Sequence, residues 1–234
     1  MIELKNVTKR YGSLTAVDDV SFSVKAGESF ALLGPNGAGK TTIVKLLLDF
    51  TRPTAGSLTI SGIPTSQAEC RTAIGYLAEN HHIPAGLSGW NYLLRCAELL
   101  DIRRADAEDQ CRRIVEQIGM QGREHTKAGT YSKGMIQRFG LGAALVGEPK
   151  LLILDEPTSG LDPIGIRETR QLLESLKDQG LTIFLNSHLL SEVEKICDSA
   201  AIINRGRLLV KDTISAIARD GETLEDVFVR LVKG

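Results

Sequence analysis

The sequence predicts an α/β protein with an antiparallel β subdomain near its start and an α-helical subdomain inserted in its middle. Three features predict it. The apolar run Phe30–Leu33 gives way to a glycine-rich turn and then to Ile43, Val44, Leu46, Leu47 and Leu48, in the order strand, loop, helix. Two further apolar runs, Leu151–Leu154 and Leu181–Asn186, read as strands buried on both faces, with a helical segment between them. From Ser88 to Val146 the texture changes: Trp90, Leu93, Leu94, Ala97 and Leu100, then Ile114, Val115 and Ile118, recur at helical spacing.

The turn after Leu33 reads Gly34-Pro35-Asn36-Gly37-Ala38-Gly39-Lys40-Thr41-Thr42, which fits G-x-x-x-x-G-K-[ST] between a strand and a helix. About one chain in a hundred of this length would show the pattern by chance, and the flanking strand and helix make an accident rarer still. The chemistry explains the residue types. Gly34, Gly37 and Gly39 can take φ values closed to other residues and leave no Cβ in the way, so successive backbone N–H groups can turn toward phosphate oxygens. The helix that starts here adds unpaired N–H groups and the positive end of its dipole. Lys40 can reach the β- and γ-phosphates, and the Thr41 hydroxyl can ligate Mg²⁺.

Taken in order, Ile2–Val24 alternates and breaks at Tyr11-Gly12-Ser13, which predicts two antiparallel strands and a turn. Tyr11 precedes the loop's strand, where its ring could stack on a base for about 1 kcal/mol. Gly56–Gly62 and Ala73–Leu77 read as short strands, and Glu79 follows the second at the carboxyl end, where open α/β sheets place ligand groups. Within the helical region, Arg103–Asp109 is a solvated helix face. Tyr131-Ser132-Lys133-Gly134-Met135 opens another helix, with Ser132 as N-cap and Gly134 allowing close approach of a ligand; such a helix start is a second anion site. Asp155-Glu156 closes the strand that begins at Leu151. Alternation along a strand sends the two carboxylates opposite ways, so Asp155 should face a metal ion and Glu156 an attacking water. Asp162-Pro163 reads as an N-cap followed by Pro at the first helical position, with Gly180 stopping that helix. His188 sits just past the end of the Leu181–Asn186 strand. Asn204-Arg205-Gly206 turns between two strands, and Thr223–Phe228 starts an amphipathic helix.

The 234 residues suffice for one large domain. Lys and Arg number 28 against 29 Asp and Glu, a net charge of −1, which gives no electrostatic reason for nucleic acid or an anionic membrane surface as partner. No apolar run approaches the roughly 18 residues of a membrane span, and Met1–Lys5 lacks the apolar stretch of a signal peptide, so a cytoplasmic chain is expected. Cys70, Cys96, Cys111 and Cys197 are too widely spaced for a metal site and read as reduced, partly buried thiols. His81-His82 reads as solvated loop, because adjacent residues share no face.

Tyr11, Gly34–Thr42, Tyr131–Met135, Asp155-Glu156, Ser159-Gly160-Leu161-Asp162 and His188 stand in the order found in ATPase subunits of ABC transporters, which the chain resembles over nearly its whole length. Tyr131–Met135 followed by Gln137-Arg138, and the closing Leu224–Phe228, resemble the bacterial branch (CcmA-like) that serves multidrug, sodium and similar exporters. The resemblance implies a single domain over 1–234. Its P-loop NTPase (RecA-like) core would cover 1–79 and 148–212, the helical subdomain 80–147, and C-terminal helices 213–234. It further implies an engine of two chains, homodimer or heterodimer, docked on membrane-spanning permease subunits, with ATP held between the loop of one chain and the Ser132 segment of the other. Tyr11 would stack on adenine and Gly34–Thr42 would wrap the phosphates. Thr41 and Asp155 would hold Mg²⁺, joined by Glu79. Glu156 would activate water, and Lys40 and His188 would meet the γ-phosphate. Ser132 and Gly134 would touch the partner's γ-phosphate, and Asp162 would link the two sites.

Two departures stand out from that pattern. Glu79 occupies a position usually held by Gln, and Lys133 and Met135 interrupt the usual Leu-Ser-Gly-Gly-Gln. A soluble relative acting on ribosomes or DNA is the alternative, but such proteins carry tandem cassettes or long coiled coils, and this chain has neither. A guanine-reading N-K-x-D motif is also missing.

Overall fold

The computed structural model describes residues 1–219 and 221–233; Asp220 and Gly234, both inside the expected C-terminal helical segment, lie outside the described residues. Backbone proximity divides the chain into two compact units, Met1–Thr72 with Lys177–Gly234, and Ala73–Leu176.

The first unit holds two sheets. β1 (Ile2–Tyr11) and β2 (Leu14–Val24) form the expected antiparallel pair, and β4 (Ala55–Ile60) and β5 (Ile63–Pro64) extend it in the order β2-β1-β4-β5. β3 (Ser29–Leu33) leads into α1 (Lys40–Leu47). It pairs in parallel with β8 (Thr182–Asn186) on one side and β9 (Ser199–Asn204) on the other, and β10 (Arg207–Thr213) closes the far edge antiparallel to β9. All five residues of β3 and of β8 are buried, as two-faced burial of a parallel strand requires. Phe22 of β2 stacks on Phe30 of β3 at 5.3 Å between ring centroids, and Phe30 meets Phe184 of β8 at 5.4 Å, so three rings tie the antiparallel sheet to the parallel one. Each such buried ring contributes about 1.5–3 kcal/mol. α6 (Leu190–Ile196), α7 (Ile214–Ile217) and α8 (Leu224–Lys233) complete the unit. Thr223 and Asp226 cap α8 reciprocally, the carboxylate accepting from the Thr223 N–H at 3.0 Å.

In the second unit β6 (Ile74–Leu77) and β7 (Leu151–Asp155) pair in parallel. Helices α2 (Gly89–Leu99), α3 (Arg104–Gln117) and α4 (Lys133–Leu145) fill the segment read as a helical insert, and α5 (Pro163–Asp178) follows β7. The compact unit, Ala73–Leu176, thus extends beyond residues 80–147 at both ends; β6 packs on α4 and pairs with β7. A Cβ on Gly75 would overlap the Ala144 carbonyl, and one on Gly89 would overlap the Phe139 ring. Small residues are what allow a strand and a helix to close on α4.

His81 corrects the expectation of a solvated loop. Its ring meets Tyr92 edge-on at 5.6 Å and presses on α4 at Gly140, where a Cβ would stand 2.6 Å away. His82 is exposed, as expected. Burial, then the neighbouring His82, lowers the His81 pKa from its ordinary value of 6.5, and Nε2 has no hydrogen-bond partner among the described residues. The folded imidazole therefore stays neutral where the unfolded one takes up a proton. Its stabilising contribution is present above the unfolded pKa of about 6.5 and is lost as pH falls through that value toward the folded one. In urea titrations, wild type should lose stability relative to a His81→Gln variant as pH drops from 7.5 to 5.5. A stability difference independent of pH would contradict this assignment.

Candidate functional site

The first unit builds a pocket of 490 Å³ on the glycine-rich loop, lined by Asn36, Gly37, Ala38, Gly39, Lys40, Thr41 and Thr42 on one side and by Tyr11, Leu14, Thr15 and Ala16 on the other, with Arg205 at the rim. Two left-handed glycines shape the loop, Gly37 at φ 79° and Gly39 at φ 107°. At Gly39, which caps α1, a Cβ would overlap the Ala16 carbonyl oxygen, so only glycine lets β2 come this close. Gly34 is pressed in the same way against the Ile203 carbonyl. Lys40 is buried, and its ammonium donates to the carbonyls of Gly34 at 2.7 Å and Pro35 at 3.2 Å. The loop's own oxygens thus hold its cation in place.

Tyr11 lines the loop pocket across from Asn36–Thr42 and is 45 % exposed. The Lys9 ammonium lies 4.8 Å from the ring centroid while donating to the Arg52 carbonyl at 2.7 Å, which holds one side of the ring. His188 is exposed and shares the loop's edge of the sheet. Leu32 is in register with Asn186 across the parallel β3–β8 pair, so Gly34 and His188 each lie two residues further along.

In the second unit, Leu77 is in register with Leu154, which brings Glu79 and the Asp155-Glu156 pair to one end of β6 and β7. Asp155 and Glu156 are buried, 7 % and 9 % exposed, while Glu79 is exposed. The Asp155 charge adds to burial in raising the Tyr76 pKa. The Asp155-Glu156 pair does not follow the strand alternation expected of it. β7 ends at Asp155, and Glu156 has a left-handed backbone at φ 52°, so the two carboxylates are separated by a turn and not by strand alternation. A buried non-glycine residue held in that conformation is a strain of the kind found at functional sites.

Ser132 caps α4 as expected, its Oγ accepting from the Met135 N–H at 3.3 Å. Tyr131 anchors this helix start. Its ring stacks on Phe139 at 5.2 Å, and its hydroxyl accepts from the Gly89 N–H at 3.1 Å and donates to the Arg123 carbonyl at 2.8 Å. Asp162 caps α5 by accepting from the Gly165 N–H at 2.7 Å. Ser132, Lys133, Gly134 and Asp162 line one pocket of 530 Å³ together with Arg123 and Gly160. The Lys133 ammonium lies where a Gly160 side chain would stand, so α4's first residue reaches across the loop that follows Glu156.

Thr41, Asp155 and Glu79 are all oxygen donors, the set Mg²⁺ prefers. No cluster of three or more His, Cys, Asp or Glu side chains able to hold a metal occurs among the described residues. The structure therefore gathers Tyr11 with Asn36–Thr42 in one unit, and Ser132, Gly134 and Asp162 in the other. Arg205 escaped the sequence reading, where its segment showed only a turn.

Residues 17–159 match the protein family described as ABC transporter. The chain is 42% identical over 212 residues to the bacitracin transport ATP-binding protein BcrA of Bacillus licheniformis, covering 89% of this chain and 68% of that one. It is 36% identical over 228 residues to the lantibiotic transport ATP-binding protein SrtF of Streptococcus pyogenes, covering 97% and 96%. It spans 59% of the length of two further curated relatives. A solved structure described as the ATP binding subunit of an ABC transporter superposes with a TM-score of 0.89 at 30% identity, covering 99% of each chain.

The close approach at Gly39 makes a direct test. Gly39→Ala should weaken binding of the fluorescent nucleotide mant-ADP more than tenfold, because forcing a Cβ into a left-handed position costs about 1–3 kcal/mol before the overlap with Ala16 is counted. Unchanged binding would mean that the loop does not hold the nucleotide as described.

Proposed function

Because this chain belongs to the ABC transporter family and is an ATP-binding, ATP-hydrolysing cassette, we propose that it works by closing ATP between its own phosphate loop and the α4 start of a second copy. The supporting observation is that one chain carries two separate pockets, each at the start of a helix, α1 and α4. The loop pocket has a phosphate cradle, and the Ser132 pocket is lined by residues 120–168 alone and includes no part of the loop. Such a helix start gains an anion partner when another chain's triphosphate reaches it.

In this reading Tyr11 takes the adenine face, Gly34, Pro35, Asn36, Gly37, Ala38 and Gly39 shape the phosphate cradle, and Lys40, Thr41 and Thr42 meet the phosphates at the start of α1. Thr41, Asp155 and Glu79 would hold Mg²⁺, which would supply charge neutralisation at the phosphates. Glu156 takes the proton of the attacking water, and His188 contacts the γ-phosphate from the β8 end. Ser132 and Gly134 contact the partner's γ-phosphate, with Asp162 next to them. Hydrolysis removes the shared phosphate and lets the two copies part.

The relatives' names, bacitracin and lantibiotic transport, support a role in transport; a place beneath membrane-spanning permease subunits, with export as the direction, is the reading that the Tyr131–Met135 segment and the Leu224–Phe228 tail suggest. No helix among the described residues is long and apolar enough to cross a membrane.

Glu156→Gln keeps the shape of the side chain and removes the base. It should lower ATP turnover at least 100-fold, the usual worth of general base catalysis, while mant-ADP affinity stays within twofold of wild type. Turnover near the wild-type rate would exclude Glu156 as the base.

A further inference from the structure

We propose that Arg205 is a second phosphate-binding cation of the loop pocket, reaching the nucleotide's phosphate chain from the β9–β10 turn. The proposal rests on the nucleotide reading of that pocket and adds a residue to it. Three observations carry it.

The first is position. Arg205 and Gly206 form a two-residue turn with left-handed backbones, φ 49° and 80°. The turn is fastened to the loop, the Gly206 N–H donating to the Ala38 carbonyl at 2.9 Å. It is also fastened to β2, the Gly206 carbonyl accepting from the Asp18 N–H at 2.8 Å. A Cβ on Gly206 would come within 3.0 Å of the Ala16 carbonyl oxygen. Backbone contacts thus fix Arg205 at the rim, between the loop at Ala38 and the floor at Ala16.

The second is charge. No carboxylate lines this pocket, and its only two cationic residues are Lys40 and Arg205. Lys40 already donates to the carbonyls of Gly34 and Pro35 inside the loop.

The third is availability. The neighbouring Arg207 is engaged with Asp18 at 2.8 Å. Arg205 is exposed, and its side chain makes no hydrogen bond or ion pair with any described residue. A planar guanidinium with free N–H groups, beside a cradle for a polyanion, is suited to bidentate contact with phosphate oxygens.

The test is mant-ADP fluorescence titration of the full chain and of two variants, with ATP and adenosine as competitors. Arg205→Asn removes the charge while keeping a residue that tolerates the left-handed turn, and Arg205→Lys keeps the charge. The expected result is about tenfold weaker binding of mant-ADP and ATP to Arg205→Asn, near the low end for a charge-assisted contact. Arg205→Lys should recover most of that loss, and competition by adenosine should be unchanged in both. Wild-type affinity in Arg205→Asn would overturn the proposal, as would an equal loss for adenosine or failure of Lys to restore binding. A wild-type chain that bound no mant-ADP would instead overturn the nucleotide reading itself.

Discussion

Backbone carbonyls pressed against glycines fix the phosphate loop before any ligand arrives. Ala16 of β2 leaves no room for a side chain at Gly39, Ile203 of β9 leaves none at Gly34, and the loop's own Gly34 and Pro35 carbonyls hold the Lys40 ammonium. The β9–β10 turn adds a hydrogen bond to Ala38. These contacts draw on chain segments far apart in sequence, so the loop's geometry is a property of the whole first unit and of its Phe22–Phe30–Phe184 core. A cradle organised in this way binds a polyanion without a large ordering cost, since the donors are already placed.

The second unit solves a related problem with helices. α4 needs a start that presents N–H groups outward and a body that packs tightly, and the sequence separates the two demands. Ser132 caps the start and Tyr131 fixes it to Gly89 and Arg123, while along the body Gly140 gives way to His81 and Gly75 of β6 gives way to the Ala144 carbonyl. Lys133, which departs from the family's glycine, lies over Gly160, and Gly160 in turn has no side chain to obstruct it. Two residues that look independent in the sequence form one contact between the helix start and the loop that follows Glu156.

Much of this was legible because the informative chemistry is local. A nine-residue loop between strand and helix, a Ser or Asp before a helix, and a left-handed two-residue turn each carry their reason within a few residues. What escaped was set by tertiary contact or by a break in regularity. Strand alternation was applied to Glu156, but the strand stops one residue earlier and the backbone there turns left-handed. His81 read as solvated because its burial comes from Tyr92 and from a helix some sixty residues on, at Gly140. Arg205 looked like turn filler because its neighbours in the pocket lie at the other end of the chain.

In the function proposed above, each catalytic pocket is divided between two copies of the chain. Light scattering of the Glu156→Gln chain with and without saturating ATP and Mg²⁺ tests that division most directly. The mass should rise from that of one chain to that of two with ATP, and return to one when Ser132→Glu places a negative charge at the start of α4. A mass that stays at one chain with ATP, or a pair that survives the Ser132→Glu change, would contradict it.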